Sequence, residues 1–134
     1  MLIGIKKRNR ELVKFCFSNL PACLFDCDNC FDGYSYQEYF DFFEQLYILE
    51  IELLYKFRKA TKKLTEINTS KFKCVVITNF KHLFDHGDID ERIDVLEDAW
   101  NYLKLASSRF DIFIGIENYL QYSFAKRYCD KVII

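Results

Sequence analysis

Polar side chains follow three apolar runs of this sequence. They are Asp26 and Asp28 after the first run, Thr78 and Asn79 after the second, and Glu117 and Asn118 after the third. Two or three carboxylates brought together could hold Mg²⁺, which prefers oxygen ligands and activates water for hydrolysis. Asp and Asn also commonly begin turns after strands, so a structural role for each residue stays open beside the functional one.

The elements that would position these residues follow from the hydrophobic pattern. Buried strands are predicted at residues 22–26 and 73–78, an apolar strand at 110–116 and a last strand at 131–134. Helical spacing predicts a short helix ending near Phe17 and two further helices over 93–106 and 118–128. Alternating strands and helices predict an α/β domain with a mostly parallel sheet and helices on both faces. Ligands bind outside the carboxyl ends of such strands, so neighbouring strands would bring the polar residues to one edge.

A long helix is predicted from Ser35, whose hydroxyl and Glu38 match a capping box, to about Leu64. Its apolar residues recur at helical spacing, apart from a gap at Glu50. The helix either breaks near 47–50 or docks an apolar face on another protein. The residues expected to face a partner are Phe40, Phe42, Tyr47, Ile51 and Leu54.

Length and composition set the broad class. The 134 residues predict one α/β domain over 1–134. The 19 Lys and Arg residues nearly balance the 20 Asp and Glu residues, so no overall field attracts nucleic acid or a membrane. No apolar run is long enough to cross a bilayer, and the charges at 6–8 follow the apolar start, unlike a signal peptide. We expect a nuclear or cytoplasmic protein that is not secreted and has no membrane partner, with reduced cysteines.

One basic cluster is a candidate nucleic-acid interface. Its residues are Lys56, Arg58, Lys59, Lys62 and Lys63. A basic stripe beside aromatic side chains could follow phosphates and stack bases, which makes DNA a candidate partner. A solvated helix face, with lysines favoured at a helix C-terminus by its dipole, is the alternative interpretation.

Two constellations could hold a metal. The cysteines Cys23, Cys27 and Cys30 have the spacing of a radical SAM iron–sulfur triad, and Cys16 could complete a zinc site. His82 and His86 come within one residue of an H-x-x-E-H motif, but the Glu and a third ligand are missing. Buried apolar cysteines and ordinary helix-end histidines are the alternatives.

The order of elements resembles the ATPase core of the RecA-like recombinases over about residues 12–134. A family strand ends in a D-T-E-G-T-F-like segment, which corresponds here to Asp26-Cys-Asp-Asn-Cys-Phe31. A later family strand ends in a metal-binding Asp, which corresponds to Thr78. The resemblance puts Asp28 at the catalytic acid position of the family.

The chain departs from that family where ATP is bound. No glycine begins a G-x-x-x-x-G-K-[ST] loop, and the strand that would carry this loop is expected to be missing. The resemblance therefore implies a degenerate paralogue without ATPase activity and without a cofactor. It would resemble the small subunits of Shu-type complexes, which assemble on DNA with another RecA-like or repair-complex subunit.

A second resemblance is to the NYN branch of the PIN-like nucleases, whose opening D-g-x-N segment is similar to Asp26-Cys-Asp28-Asn29. It implies a Mg²⁺-dependent nuclease as the alternative function, with Asp26, Asp28 and Glu117 as the catalytic residues. Asp90 or Asp94 would complete the acid set.

Overall fold

The structure, a computed structural model, describes residues 1–67, 71–80, 83 and 89–134, with Ile89 and Asp90 described by their backbone alone. The strands within this part of the chain are β1 (Leu2–Ile5), β2 (Ala22–Asp26), β3 (Leu46–Glu50), β4 (Cys74–Ile77), β5 (Asp111–Gly115) and β6 (Lys131–Ile133). The helices are α1 (Asn9–Phe17), α2 (Leu54–Leu64), α3 (Ile89–Ala106) and α4 (Tyr119–Tyr128), and a 3₁₀ segment spans Gly33–Gln45.

The strands form one sheet in the order β3-β2-β4-β5-β1-β6, and every neighbouring pair is parallel. The helices cover both of its faces. One face packs against α2, α3 and α4 through residues such as Phe57, Trp100 and Phe124. The other packs against α1 and the 3₁₀ segment, through Leu12 and Tyr36. The α/β fold with a parallel sheet covered on both sides is therefore confirmed.

The sequence of β2 and β4 reflects this double cover. Every residue of both strands is buried, because alternate side chains enter two different cores. Phe25 and Ile77 join the core beneath α2–α4, whereas Leu24 and Val76 join the core beneath α1. This is why the apolar runs show no alternation with polar residues.

The prediction of one continuous helix from Ser35 to about Leu64 was wrong, and the alternative of a break near 47–50 is confirmed, because the strand β3 lies there. The segment is divided into the 3₁₀ segment, the edge strand β3 and α2. Asp32 rather than Ser35 caps the first of these: its carboxylate accepts the Tyr34 N–H at 2.9 Å and the Ser35 hydroxyl at 3.1 Å. The apolar residues with helical spacing belong to elements on opposite faces of the sheet, so their spacing came from two separate cores.

The N-terminal run Leu2–Ile5, unassigned from sequence, forms the interior strand β1 between β5 and β6. The connection from β1 to α1 is the short basic stretch 6–8, which contains no glycine. A phosphate-binding loop between a strand and a helix needs a longer glycine-rich connection, so this one does not form such a loop.

One feature of the sequence, the histidine pair at 82 and 86, lies outside the described residues. Within the described part of the chain, none of the helices combines the length and apolar character needed to cross a bilayer.

Candidate functional site

The polar residues after β2, β4 and β5 share one edge of the sheet. These three strands are adjacent and parallel, so their carboxyl ends point the same way. The backbone thus brings the three strand ends to one edge, as expected. The hydrogen bonds of each side chain determine whether these residues are free to bind a ligand.

Asp26 is an internal anchor of the loop that follows β2. Its side chain is 1% exposed, and its Oδ1 accepts the N–H groups of Cys30 at 3.0 Å and Asp28 at 3.3 Å. Its Oδ2 accepts the Phe31 N–H at 3.0 Å, and the Cys30 thiol donates to Oδ1 at 3.3 Å. Asn29, with φ of 48°, turns the backbone between these donors, in a conformation that Asn tolerates. Both carboxylate oxygens are thus occupied by the protein's own donors.

A second network joins the loops after β2 and β4 to α1. The Thr78 hydroxyl accepts the Cys27 N–H at 2.9 Å. Asn9 accepts the Asn79 N–H at 2.9 Å and donates its amide to Asp28 Oδ2 at 2.7 Å. Sequence reasoning missed Asn9, and its only signal was a polar residue at the start of α1. Thr78 and Asp28 are therefore held in a structural network at the edge.

Glu117 follows β5, which lies two strands away from β2 in the sheet. One strand, β4, separates β2 from β5, and adjacent strands lie about 4.8 Å apart. Glu117 is exposed, and its backbone N–H donates to Gln121 Oε1 at 2.6 Å. Asp94 is exposed on α3, and the Asp90 side chain is outside the described part. Among the described residues, no three His, Cys, Asp or Glu side chains form a group that could hold a metal ion.

An open cleft of about 620 Å³ lies beside Glu117 at the carboxyl ends of β1, β5 and β6. Its walls include the basic residues Lys6, Lys7 and Arg8, together with the buried Asn79. Asn79 packs closely on Gly115, where an added Cβ would lie 2.7 Å from Asn79 Oδ1. Glycine is thus the residue that allows this approach.

The cysteines of the proposed triad are protonated core or loop residues. Burial, followed by the neighbouring Cys74, raises the pKa of the Cys23 thiol from 9.0 to about 12. Burial also raises the pKa of Cys30 to about 12, helped by the nearby Asp26 carboxylate. Burial raises the pKa of Cys27 well above its ordinary value. Metal ligation needs thiolates, so these environments favour the structural interpretation.

We expect the free energy of unfolding to fall as the pH rises above 9. The folded-state pKa of Cys23 lies above the unfolded value of 9.0, so folding favours the neutral thiol. Its contribution is fully present below pH 9.0 and is lost as the pH rises towards about 12. Urea unfolding between pH 7 and pH 10.5 measures this, and Cys23→Ala should show a shallower decline. Equal declines for the two proteins would contradict it.

The basic residues predicted to bind DNA lie on α2. Lys56, Lys59 and Lys63 follow one another at steps of three and four residues, so they share a helix face, and all are exposed. Lys62 and the exposed ring of Tyr55 lie beside them. Arg58 is paired with Asp98 of α3 at 3.3 Å. Four lysines form the α2 basic face: Lys56, Lys59, Lys62 and Lys63.

The residues predicted to face a partner divide into two groups. Phe40, Phe42 and Tyr47 are exposed, at 71%, 48% and 49%. Ile51 and Leu54 are buried, at 3% and 7%, and belong to the core beneath α2. Their side chains are therefore not presented to a partner.

The parallel sheet covered on both faces defines an α/β domain, an architecture consistent with the RecA-like fold of the solved structure described next. No protein-family model matches the chain, and no curated protein matches its sequence. Among solved structures, the crystal structure of the RadB recombinase is similar, with a TM-score of 0.51 and 12% sequence identity. The similarity covers 86% of this chain and 60% of that chain, so this chain spans less than two-thirds of the RadB length. At this identity the likeness concerns the fold.

Proposed function

We propose that this protein is a non-catalytic RecA-like subunit of a DNA recombination or repair complex, comparable to the small subunits of Shu-type complexes. It acts by binding single-stranded DNA and another RecA-like or repair-complex subunit, in the nucleus or cytoplasm. The observation that carries the proposal is the α2 basic face on a domain of RecA-like fold.

The strand-end residues support a role without ATP hydrolysis. The three residues between β1 and α1 contain no glycine and cannot wrap their amides around a phosphate chain. Thr78 has no carboxylate for Mg²⁺, and its hydroxyl accepts the Cys27 N–H. The hydrogen bonds of Asp26 disfavour the nuclease alternative, because both carboxylate oxygens already accept backbone N–H groups.

The α2 basic face supports nucleic-acid binding. Lys62 and Lys63 lie in the last turn, where the helix dipole favours cations, whereas Lys56 lies in the first turn, where it does not. Helix stabilisation therefore accounts for two of the four lysines. Together with Tyr55, the face combines phosphate-binding cations with a ring that could stack on a base.

Titration of fluorescein-labelled single-stranded DNA with the purified protein, with and without Mg²⁺, tests the proposal. Fluorescence anisotropy should show salt-sensitive binding that does not need Mg²⁺, and a denaturing gel should show intact DNA. Absence of binding at low salt would overturn the DNA-binding half. Mg²⁺-dependent cleavage that is lost in Asp26→Asn, with an unchanged circular dichroism spectrum, would overturn the non-catalytic half.

A further inference from the structure

The 3₁₀ segment Gly33–Gln45 carries exposed aromatic rings on its outer side. Phe40 and Phe42 are 71% and 48% exposed. A packed ring lies beneath them, because the ring centroid of Phe43 is 5.7 Å from that of Phe40 and 5.7 Å from that of Phe17. The exposed rings are therefore presented on a surface that the fold has already formed.

A row of carboxylates runs between these two rings. A 3₁₀ helix has three residues per turn, so side chains three positions apart lie above one another. Glu38, Asp41 and Glu44 have this spacing and are all exposed. Successive members of the row are about 6 Å apart along the helix axis. Phe40 and Phe42 are the chain neighbours of Asp41, so one ring lies on each side of the row. These five residues are called the acidic aromatic face.

No cation of the described chain neutralises the acidic aromatic face. Residues 15–55 contain eight of the 20 acidic residues and none of the 19 Lys and Arg residues. Within the described part of the chain, no Lys or Arg forms an ion pair with Glu38, Asp41 or Glu44. Like charges about 6 Å apart on one side of a helix repel each other. The face therefore favours a partner that brings positive charge to the exposed rings.

Aromatic rings beside carboxylates suit arginine in particular. The guanidinium group stacks on aromatic rings and also binds a carboxylate through two parallel hydrogen bonds. The chain shows the first of these contacts next to the face, where the Arg10 guanidinium lies 5.8 Å from the centre of the Tyr36 ring. The acidic aromatic face offers both contacts to a partner.

We propose that the acidic aromatic face binds a basic amphipathic helix of a partner protein, with Arg or Lys at positions i, i+4 and i+8 and apolar residues beside them. Four residues of an α-helix rise about 6.0 Å, which matches the spacing of the carboxylate row. The apolar side chains of the partner helix contact Phe40 or Phe42. The inference rests on the partner-binding half of the proposed function and specifies the partner's chemistry.

An extended segment fits the row less well than a helix. Alternate side chains of a strand are about 6.6–6.8 Å apart, so a third cation would be displaced by about 1.2–1.6 Å from the third carboxylate. The i±4 row of a helix stays in register over all three positions.

A second copy of this chain is also a poorer occupant, although α2 carries a basic row. Lys56, Lys59 and Lys63 are separated by three and four residues, and so by about 4.5 and 6.0 Å along the helix axis. The first of these steps does not match carboxylates that are about 6 Å apart. A separate helix with regular four-residue spacing fits all three carboxylates.

Three labelled helical peptides of about 18 residues test the spacing and the charge. All are rich in Ala and contain three Leu. The first has Arg at i, i+4 and i+8, the second has the three Arg distributed around the helix, and the third has Glu in place of Arg. By fluorescence anisotropy, the first should bind at least about fivefold more tightly than the second and tenfold more tightly than the third. Equal affinities for the first two peptides, or no binding of the first, would overturn the proposal.

Charge removal on the protein locates the binding surface. Glu38→Gln, Asp41→Asn and Glu44→Gln together should weaken binding of the first peptide at least about tenfold. The matched control removes three exposed acidic side chains on the side of the sheet covered by α2 and α3: Glu66→Gln, Glu91→Gln and Asp94→Asn. This control should bind the peptide within about twofold of the original affinity. Equal losses in the two variants would contradict the assignment to this face.

The aromatic contribution is tested separately. Phe40→Ala removes a largely exposed ring, so the fold should persist by circular dichroism while the first peptide binds at least about fivefold more weakly. Tyr119→Ala removes a ring that is 84% exposed on α4 and should leave peptide binding within about twofold. Equal peptide binding by the two variants would refute the role of the rings.

Sedimentation and DNA titration of the same preparations separate the remaining outcomes. A concentration-dependent dimer that is lost when the three carboxylates are removed would overturn the proposal in favour of a second copy. Retained single-stranded DNA binding without peptide binding would refute the helix docking alone. Peptide binding without DNA binding would support the docking and refute the DNA-binding half of the proposed function.

Discussion

Reversing the charge of Lys59 and Lys63 together is expected to weaken single-stranded DNA binding by about 100-fold at moderate salt, or about 2.7 kcal/mol. The two side chains are exposed on the same face of α2, one turn apart. Each lysine that neutralises a phosphate releases a counterion, so losing two contacts should reduce the salt slope by about 1.4. Anisotropy titrations at several salt concentrations measure both quantities.

The matched control is Lys126→Glu with Lys131→Glu, which changes the net charge by the same amount. Lys126 is on α4 and Lys131 on β6, at the opposite end of the sheet from β3. If the α2 basic face binds DNA, this control should have a much smaller effect on affinity and salt slope. An equal effect of the two pairs would show that net charge, rather than this face, determines binding.

Replacing Asp26 by alanine is expected to lower the free energy of unfolding by about 3 kcal/mol. The buried carboxylate accepts three backbone N–H groups and the Cys30 thiol from a half-buried loop. Alanine would leave those donors without their acceptor, and each unsatisfied buried donor costs about 1–3 kcal/mol, less where water can enter. Urea unfolding followed by circular dichroism measures the change.

Asp32→Ala is the control for this prediction. Asp32 is exposed, and its carboxylate accepts the Tyr34 N–H and the Ser35 hydroxyl at the start of the 3₁₀ segment. Loss of such a cap costs about 1 kcal/mol. A stable Asp26→Ala protein, with an unfolding free energy no lower than that of Asp32→Ala, would contradict the anchoring role.

The elements predicted best from the sequence are those whose apolar residues follow the pattern of one strand or one helix. The continuous apolar run of β2 predicted a strand buried on both faces, and the structure confirms it. The stripe from Leu96 to Leu103 predicted α3, which packs on the core beneath α2. The apolar residues of these two elements indicate by their order along the chain which side chains are buried. Both elements could therefore be predicted without knowledge of the tertiary structure.

The segment 33–64 was mispredicted because two cores share its apolar residues. Tyr36 and Leu46 are buried on the α1 side of the sheet, whereas Ile51 and Phe57 are buried on the α2 side. Their combined spacing resembles one helix, although β3 lies between the two sides. Residues Leu46–Glu50 form a strand because they pair with β2. Pairing between residues distant in the chain produces no recognisable pattern in the local sequence.

For the candidate site, the residue types alone determined that acidic and amide groups would follow β2, β4 and β5 and that lysines would cluster on α2. Only the tertiary structure decided their roles. The carboxylate of Asp26 turns inward because the loop after β2 directs backbone N–H groups at it. Glu117 stays at the surface one strand beyond β4, while burial of Phe57 directs Lys56, Lys59 and Lys63 to solvent. Hydrogen-bond partners and exposure depend on contacts between distant segments, which the spacing of residues along the chain does not contain.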